Sequence, residues 1–171
     1  MMTMLKCDKF DFFSSNTLGM TELENLTFAE CKPFCPNFKR AKCVKVHDGD
    51  TMELAHIGES GAVRHVSRLL GIITPDIRSK YKSEKILAKI AREELRGMIL
   101  NKVVPVAIHG TDKYGRLLVR ISMEDGGVSE SLISRRVAVS SHTSPGSVNW
   151  EDMLKERMLR NSASAIMDET D

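Results

Sequence analysis

The chain has 171 residues, a length that holds about one domain, and its 42% apolar and 28% charged residues exclude fibrous and fully disordered classes. No run of about 18 apolar residues occurs, so no membrane-spanning helix is expected, and Lys6, Asp8, Lys9 and Asp11 interrupt residues 1–13 before an apolar leader core can form. The net charge of +2 is uneven: residues 1–40 balance, 41–140 carry +5 and 141–171 carry −3. The expectation is an intracellular, soluble protein without a membrane partner, whose middle segment suits a polyanion.

Residues 1–40 lack sustained periodicity and are read as an N-terminal extension, with a short helix near residues 21–30 ended by Pro33 and Pro36. Residues 41–48 alternate as a half-buried strand, Asp48-Gly49 signals a turn, and residues 51–57 return as a second strand. Residues 62–73 form a third strand, broken at Thr74-Pro75 because proline lacks a ladder donor and holds its predecessor extended. Between Arg78 and Lys89 five bases surround one acid, Glu84. Ser83 suits a helix N-cap, and Ile86, Leu87, Ile90, Ala91, Leu95, Met98 and Ile99 then recur at helical spacing opposite a charged face.

Two further strands follow at 103–109 and 116–123, with Pro105 marking an edge or bulge, then short helices at about 128–136 and 149–165. Residues 141–147 are a polar linker, and an acidic tail over 166–171 is expected to fray. The order of strands, with one long helix after the third, fits a mainly β, α+β fold: a five-stranded OB-fold barrel with three helices, occupying residues 41–165. A generic α+β sandwich is the rival. Cys7, Cys31, Cys35 and Cys43 are too few for a disulfide scaffold, and their spacing with His47 is irregular for zinc, so unbridged thiols are expected.

The phosphate-cradling glycine loop, the H-E-x-x-H helix and the G-x-S-x-G elbow are absent. Three spaced clusters remain. Asp48-Gly49-Asp50-Thr51 sets two carboxylates at a tight turn, where oxygen could hold a hard cation. Arg68 closes a strand shortly before Thr74-Pro75-Asp76, and Asp112-Lys113-Tyr114-Gly115-Arg116 opens another with an aromatic and an arginine. Two arginines with turn carboxylates suit phosphoryl chemistry, since guanidinium groups bind phosphate oxygens in pairs and stabilise a five-coordinate phosphorus.

Taken together, residues 46–51, 68–76, 112–116 and 128–132 resemble the staphylococcal nuclease (thermonuclease-like) family, over about residues 41–138 with a weaker echo at 149–165. The resemblance implies a five-stranded barrel with three helices and calcium-dependent hydrolysis of phosphodiester bonds in DNA and RNA, with single-stranded or unpaired substrates favoured. It implies metal ligation by the Asp50 carboxylate and the Thr74 carbonyl, and catalysis by Arg68, Arg116 and a carboxylate at Asp76 that orients the attacking water. Lys113 and Tyr114 then contact the nucleotide, and Asp48 and Thr51 shape the metal turn.

Four departures accompany it. Ile73 stands where the family has its second calcium carboxylate, which weakens calcium because affinity follows ligand charge, and leaves Mg2+ or Mn2+ as other ions. Asp76 is one methylene shorter than the family's glutamate. Arg136 replaces a glycine expected in a left-handed conformation after the second helix. His142 and Ser144 lie near where stacking tyrosines are expected. The leading expectation is therefore a metal-dependent nuclease with a weakened calcium site. The alternatives are a catalytically decayed module that binds nucleic acid or protein, and a barrel whose partner binds residues 1–40.

Overall fold

The computed structural model describes residues 23–31, 34–59 and 61–168. The chain divides into two units, Met1–Phe34 and Cys35–Asp171. In the first, described residues are helical only at 23–24, with turns at 25 and 28–30, and the Thr27 N–H and hydroxyl donate to Glu30 at 2.9 and 2.6 Å. The rest of the extension, Cys7 included, and residues 169–171 lie outside the described residues.

The second unit holds β1 (Arg40–Val46), β2 (Thr51–Gly58), β3 (Gly61–Leu69), β4 (Ile72–Ile73), α1 (Lys82–Ile99), β5 (Val103–Thr111), β6 (Leu117–Met123), β7 (Gly126–Gly127), α2 (Val128–Ser134), β8 (Val139–Ser140) and α3 (Trp150–Asp168). One sheet runs in the order β3-β2-β1-β5-β6-β7, and a parallel pairing of β3 with β6 closes its first five strands into a mixed barrel. Barrel and three helices are those of an OB-like α+β fold, as the strand order implies.

Alternation decides which side chains enter the barrel. On β2, Met52 and Leu54 are fully buried; Leu69 and Val119 join them from β3 and β6. Helix α1 covers this core with Leu87, Ala91, Leu95 and Ile99, the apolar stripe that the helical period places on one face. Its C-terminus is closed by Asn101, left-handed at φ 62°, whose N–H donates to the Cys43 carbonyl at 2.8 Å.

Two local expectations are corrected. Residues 62–73 are not one strand: β3 stops at Leu69, Gly71 takes φ 87°, and Ile72–Ile73 leave the barrel to pair with β8. A positive φ is cheap only at glycine, so the apolar run turns there despite its strand composition. Ser83 does not cap α1, which begins after Tyr81 without a side-chain cap. Glu84 instead reaches back to the Asp76 N–H at 3.1 Å and the Ser79 hydroxyl at 2.6 Å. Arg136 does adopt the left-handed conformation, at φ 57°, as the missing glycine suggests.

Glu94 on α1 joins the helices: its carboxylate receives Arg135 at 2.7 Å and also Arg157 of α3, whose guanidinium in turn donates to the Arg135 carbonyl. Among the described residues no helix is long and apolar enough to cross a membrane.

The β1–β2 turn lies directly under α1. A Cβ on Gly49 would stand 2.8 Å from the Ala91 Cβ and 3.1 Å from the Thr74 methyl. Overpacking of this kind costs about 1–3 kcal/mol. Gly49→Ala is expected to lower stability by that amount in chemical denaturation, and an unchanged midpoint would show that the turn and helix are not in contact.

Candidate functional site

The β1–β2 turn is built by Asp48. Its Oδ1 accepts the N–H groups of Asp50 at 3.1 Å and Thr51 at 2.8 Å, an Asx-type turn that holds both residues against the barrel mouth. Asp50 and Thr51 are buried. In the β2–β3 register Thr51 lies opposite Arg68, and in the β3–β6 register Arg68 lies beside Leu118. Arg68 is thus centred between the Asp48–Thr51 turn and the start of β6.

Arg68 grips Asp50 with a two-pronged ion pair, Nη1 to Oδ1 at 3.0 Å and Nη2 to Oδ2 at 2.7 Å. The Thr51 hydroxyl adds a third donor to Oδ1 at 2.8 Å. Arg116 Nη1 approaches that hydroxyl at 3.4 Å, and its Nε donates to Asp112 Oδ2 at 2.7 Å. Asp112, Arg116, Thr51, Asp50 and Arg68 therefore form one continuous network across residues 65 positions apart.

Asp112 is the positioning carboxylate that the sequence motif contained but that received no role. Its Oδ1 accepts the Tyr114 and Arg116 N–H groups at 2.9 and 3.0 Å, closing the β5–β6 loop. Burial acts to raise its pKa, but the hydrogen bonds from Arg116 and Tyr114 prevail and hold the carboxyl below its ordinary value. Tyr114 is exposed, with Lys113 Nζ 5.0 Å and the Arg116 guanidinium 5.6 Å from its ring centroid.

Of the remaining expected residues, Thr74 packs beside Gly49 at the turn. Asp76 stands apart: it is exposed, its Oδ1 accepts the Arg78 N–H at 2.8 Å, and among the described residues it makes no hydrogen bond or ion pair with Asp50, Arg68 or Arg116. The structure thus brings together Asp48, Asp50, Thr51, Arg68 and Arg116, with Lys113 and Tyr114 at their margin.

These residues do not fit a calcium ion, which takes six to eight oxygen ligands. Both Asp50 oxygens already accept from Arg68, and Asp48 Oδ1 serves two backbone N–H groups. Ile73 supplies no oxygen from its side chain, and among the described residues no three His, Cys, Asp or Glu side chains cluster as a metal site.

The anion-binding capacity is greater. A guanidinium carries five N–H groups, and these contacts use two on Arg68 and two on Arg116. Side-chain exposures of 30% and 25% leave the remaining edges within reach of an incoming phosphate.

Comparison with known proteins adds a second line. The family model described as staphylococcal nuclease homologue matches residues 66–165, which includes Arg68 and the 112–116 loop but begins after the Asp48–Thr51 turn. No curated protein matches the chain.

Burial, opposed by Arg68 and reinforced by the Asp48 charge, pushes Asp50 up to about 6 from 3.8. A raised carboxyl contributes stability that is present below the unfolded pKa and lost as pH rises through the folded one. Relative to Asp50→Asn, the native chain is expected to gain stability as pH falls from about 6 to about 4. Denaturation of both proteins across that window checks it; a flat or opposite difference removes the raised pKa.

Proposed function

Because this chain belongs to the family of staphylococcal nuclease homologues, we propose that it acts chiefly as a nucleic-acid-binding module, gripping the phosphodiester backbone of single-stranded or unpaired DNA or RNA. The observation that supports this reading is the pair of partly exposed guanidinium groups at one barrel mouth, each with three N–H groups beyond those used by partners among the described residues. Arg68 and Arg116 hold adjacent phosphate oxygens, Lys113 adds a cation at the rim, and the exposed Tyr114 ring offers a base a stacking face. The bases between Arg78 and Lys89 extend the attraction for a polyanion.

A second reading is favoured by the convergence of Asp50, Thr51, Arg68 and Arg116 in one network. It is the metal-dependent phosphodiesterase, with Arg68, Arg116 and Asp76 catalytic and Asp50 and Thr74 toward a weakened site for calcium, the family's typical ion, or for Mg2+ or Mn2+. The donor set argues against this reading, since Arg68 already occupies the one buried carboxylate of the network.

A labelled single-stranded oligonucleotide distinguishes them, with calcium, magnesium, manganese or chelator present. Arg116→Ala is expected to weaken binding about tenfold and to reduce the salt slope by about 0.7, the contribution of one phosphate contact on a single strand. No cleavage is expected with any ion. Metal-dependent cleavage that Arg116→Ala abolishes would establish the phosphodiesterase instead, and no binding at low salt would overturn both. Ile73→Asp places a carboxylate next to Thr74, which packs on the Gly49 turn, and is expected to tighten calcium; if calcium binding does not change, the ion does not belong there.

A further inference from the structure

The opposite end of β2 carries a second cluster that the nucleic-acid site does not use. His56 lies five residues beyond Thr51, about 16 Å along the strand at 3.3 Å per residue. In the β2–β3 register Leu54 faces His65 and His56 faces Val63, so His56 and His65 are diagonal neighbours on the face that carries the buried Met52 and Leu54. Their Nε2 atoms face each other at 3.2 Å.

Phe38, just before β1, fixes the pair. Its ring lies 4.2 Å from the His56 ring and 5.9 Å from the His65 ring, with interplanar angles of 20° and 23°. The two imidazoles are themselves within 12° of parallel, with centroids 5.2 Å apart. Both rings are half-buried. With protein groups alone, the pair shares one N–H···N hydrogen bond, so one ring presents a bare Nε2 lone pair toward the other.

We propose that His56 and His65 chelate a borderline divalent transition metal of the zinc, nickel or copper class through their two Nε2 atoms. Imidazole is the ligand these ions prefer. Two nitrogens bound at about 2.0–2.1 Å in a tetrahedron stand about 3.3–3.4 Å apart, and the observed separation of 3.2 Å is close to that bite. On binding, the proton shared between the rings moves to Nδ1 of its own imidazole, both Nε2 lone pairs go to the metal, and no electron is transferred. Burial, and then the neighbouring His56, hold His65 below the ordinary histidine pKa, which favours the neutral ligand form. Among the described residues no third His, Cys, Asp or Glu joins the pair, so water completes the coordination. The ion would pin the end of the β2–β3 hairpin beneath Phe38, away from the arginine mouth.

The probe is zinc chloride, titrated into the full chain by calorimetry alongside thermal unfolding. One equivalent is expected to bind and to raise the unfolding temperature. His56→Gln and His65→Gln are each expected to lower the zinc affinity at least about tenfold by removing one of the two ligands, while His142→Gln leaves it unchanged. A background of Cys7→Ser, Cys31→Ser and Cys35→Ser is expected to keep the affinity; its loss there would assign the zinc to thiolates and overturn the proposal. In the unmutated chain, zinc is expected to shift the Nε2 resonances of His56 and His65 in long-range nitrogen NMR spectra. Unmoved resonances at saturating zinc overturn the proposal even if the histidine variants fail to fold.

Discussion

The parallel pairing of β3 with β6 is the contact on which the arginine mouth depends. Antiparallel neighbours can be joined by a short turn, but a parallel pair needs a long crossover, here the segment that holds β4, α1 and β5. That pairing sets Arg68 against Leu118 while the β2–β3 register sets it against Thr51. Closure of the barrel is therefore what carries the two guanidinium groups and the Asp48–Thr51 turn to one place. Without it, Arg116 would stand apart from the Asp50–Arg68 pair that the β2–β3 register forms.

Within that mouth, Asp50 and Arg68 satisfy each other. A buried carboxylate must be matched by donors, and Asp50 is 3% exposed. Arg68 matches it with a fork that no other described residue supplies, and the Thr51 hydroxyl completes the set. The same fork takes up part of the acceptor capacity that a cation would need. Ile73 brings no carboxylate, and Arg68 is the cation paired with Asp50. The proposed binding role rests on this arrangement, in which the buried carboxylate is matched by a guanidinium.

The two ends of β2 are chemically separate. One presents hydroxyl, carboxylate and guanidinium groups to an open mouth; the other presents two imidazoles to an aromatic wall. Strand alternation explains the separation: Met52, Leu54 and His56 share the inner face, and the distance between the ends is set by the rise per residue. Helix α1 covers the core, and its Glu94 ties it to Arg135 and to Arg157 of α3.

Much of this was legible in order and period. The alternation of residues 41–48 and 51–57, the apolar stripe from Leu87 to Ile99, and the motifs around Arg68 and Arg116 are local patterns, and local patterns report strand, helix and turn. The break at Gly71 was not, because it depends on the distant pairing of Ile72–Ile73 with Val139–Ser140; the empty cap at Ser83, the detachment of Asp76 and the supporting role of Asp112 were not, because folded geometry decides which of several nearby donors and acceptors meet. The His56–His65 pair was silent for the same reason. The residue order by itself determined the long helix α1, the strands β1, β2, β5 and β6, and the charge they present. Only the tertiary structure decided which charges meet, because long-range strand register, and not spacing along the chain, brings Asp50, Arg68 and Arg116 within hydrogen-bonding reach.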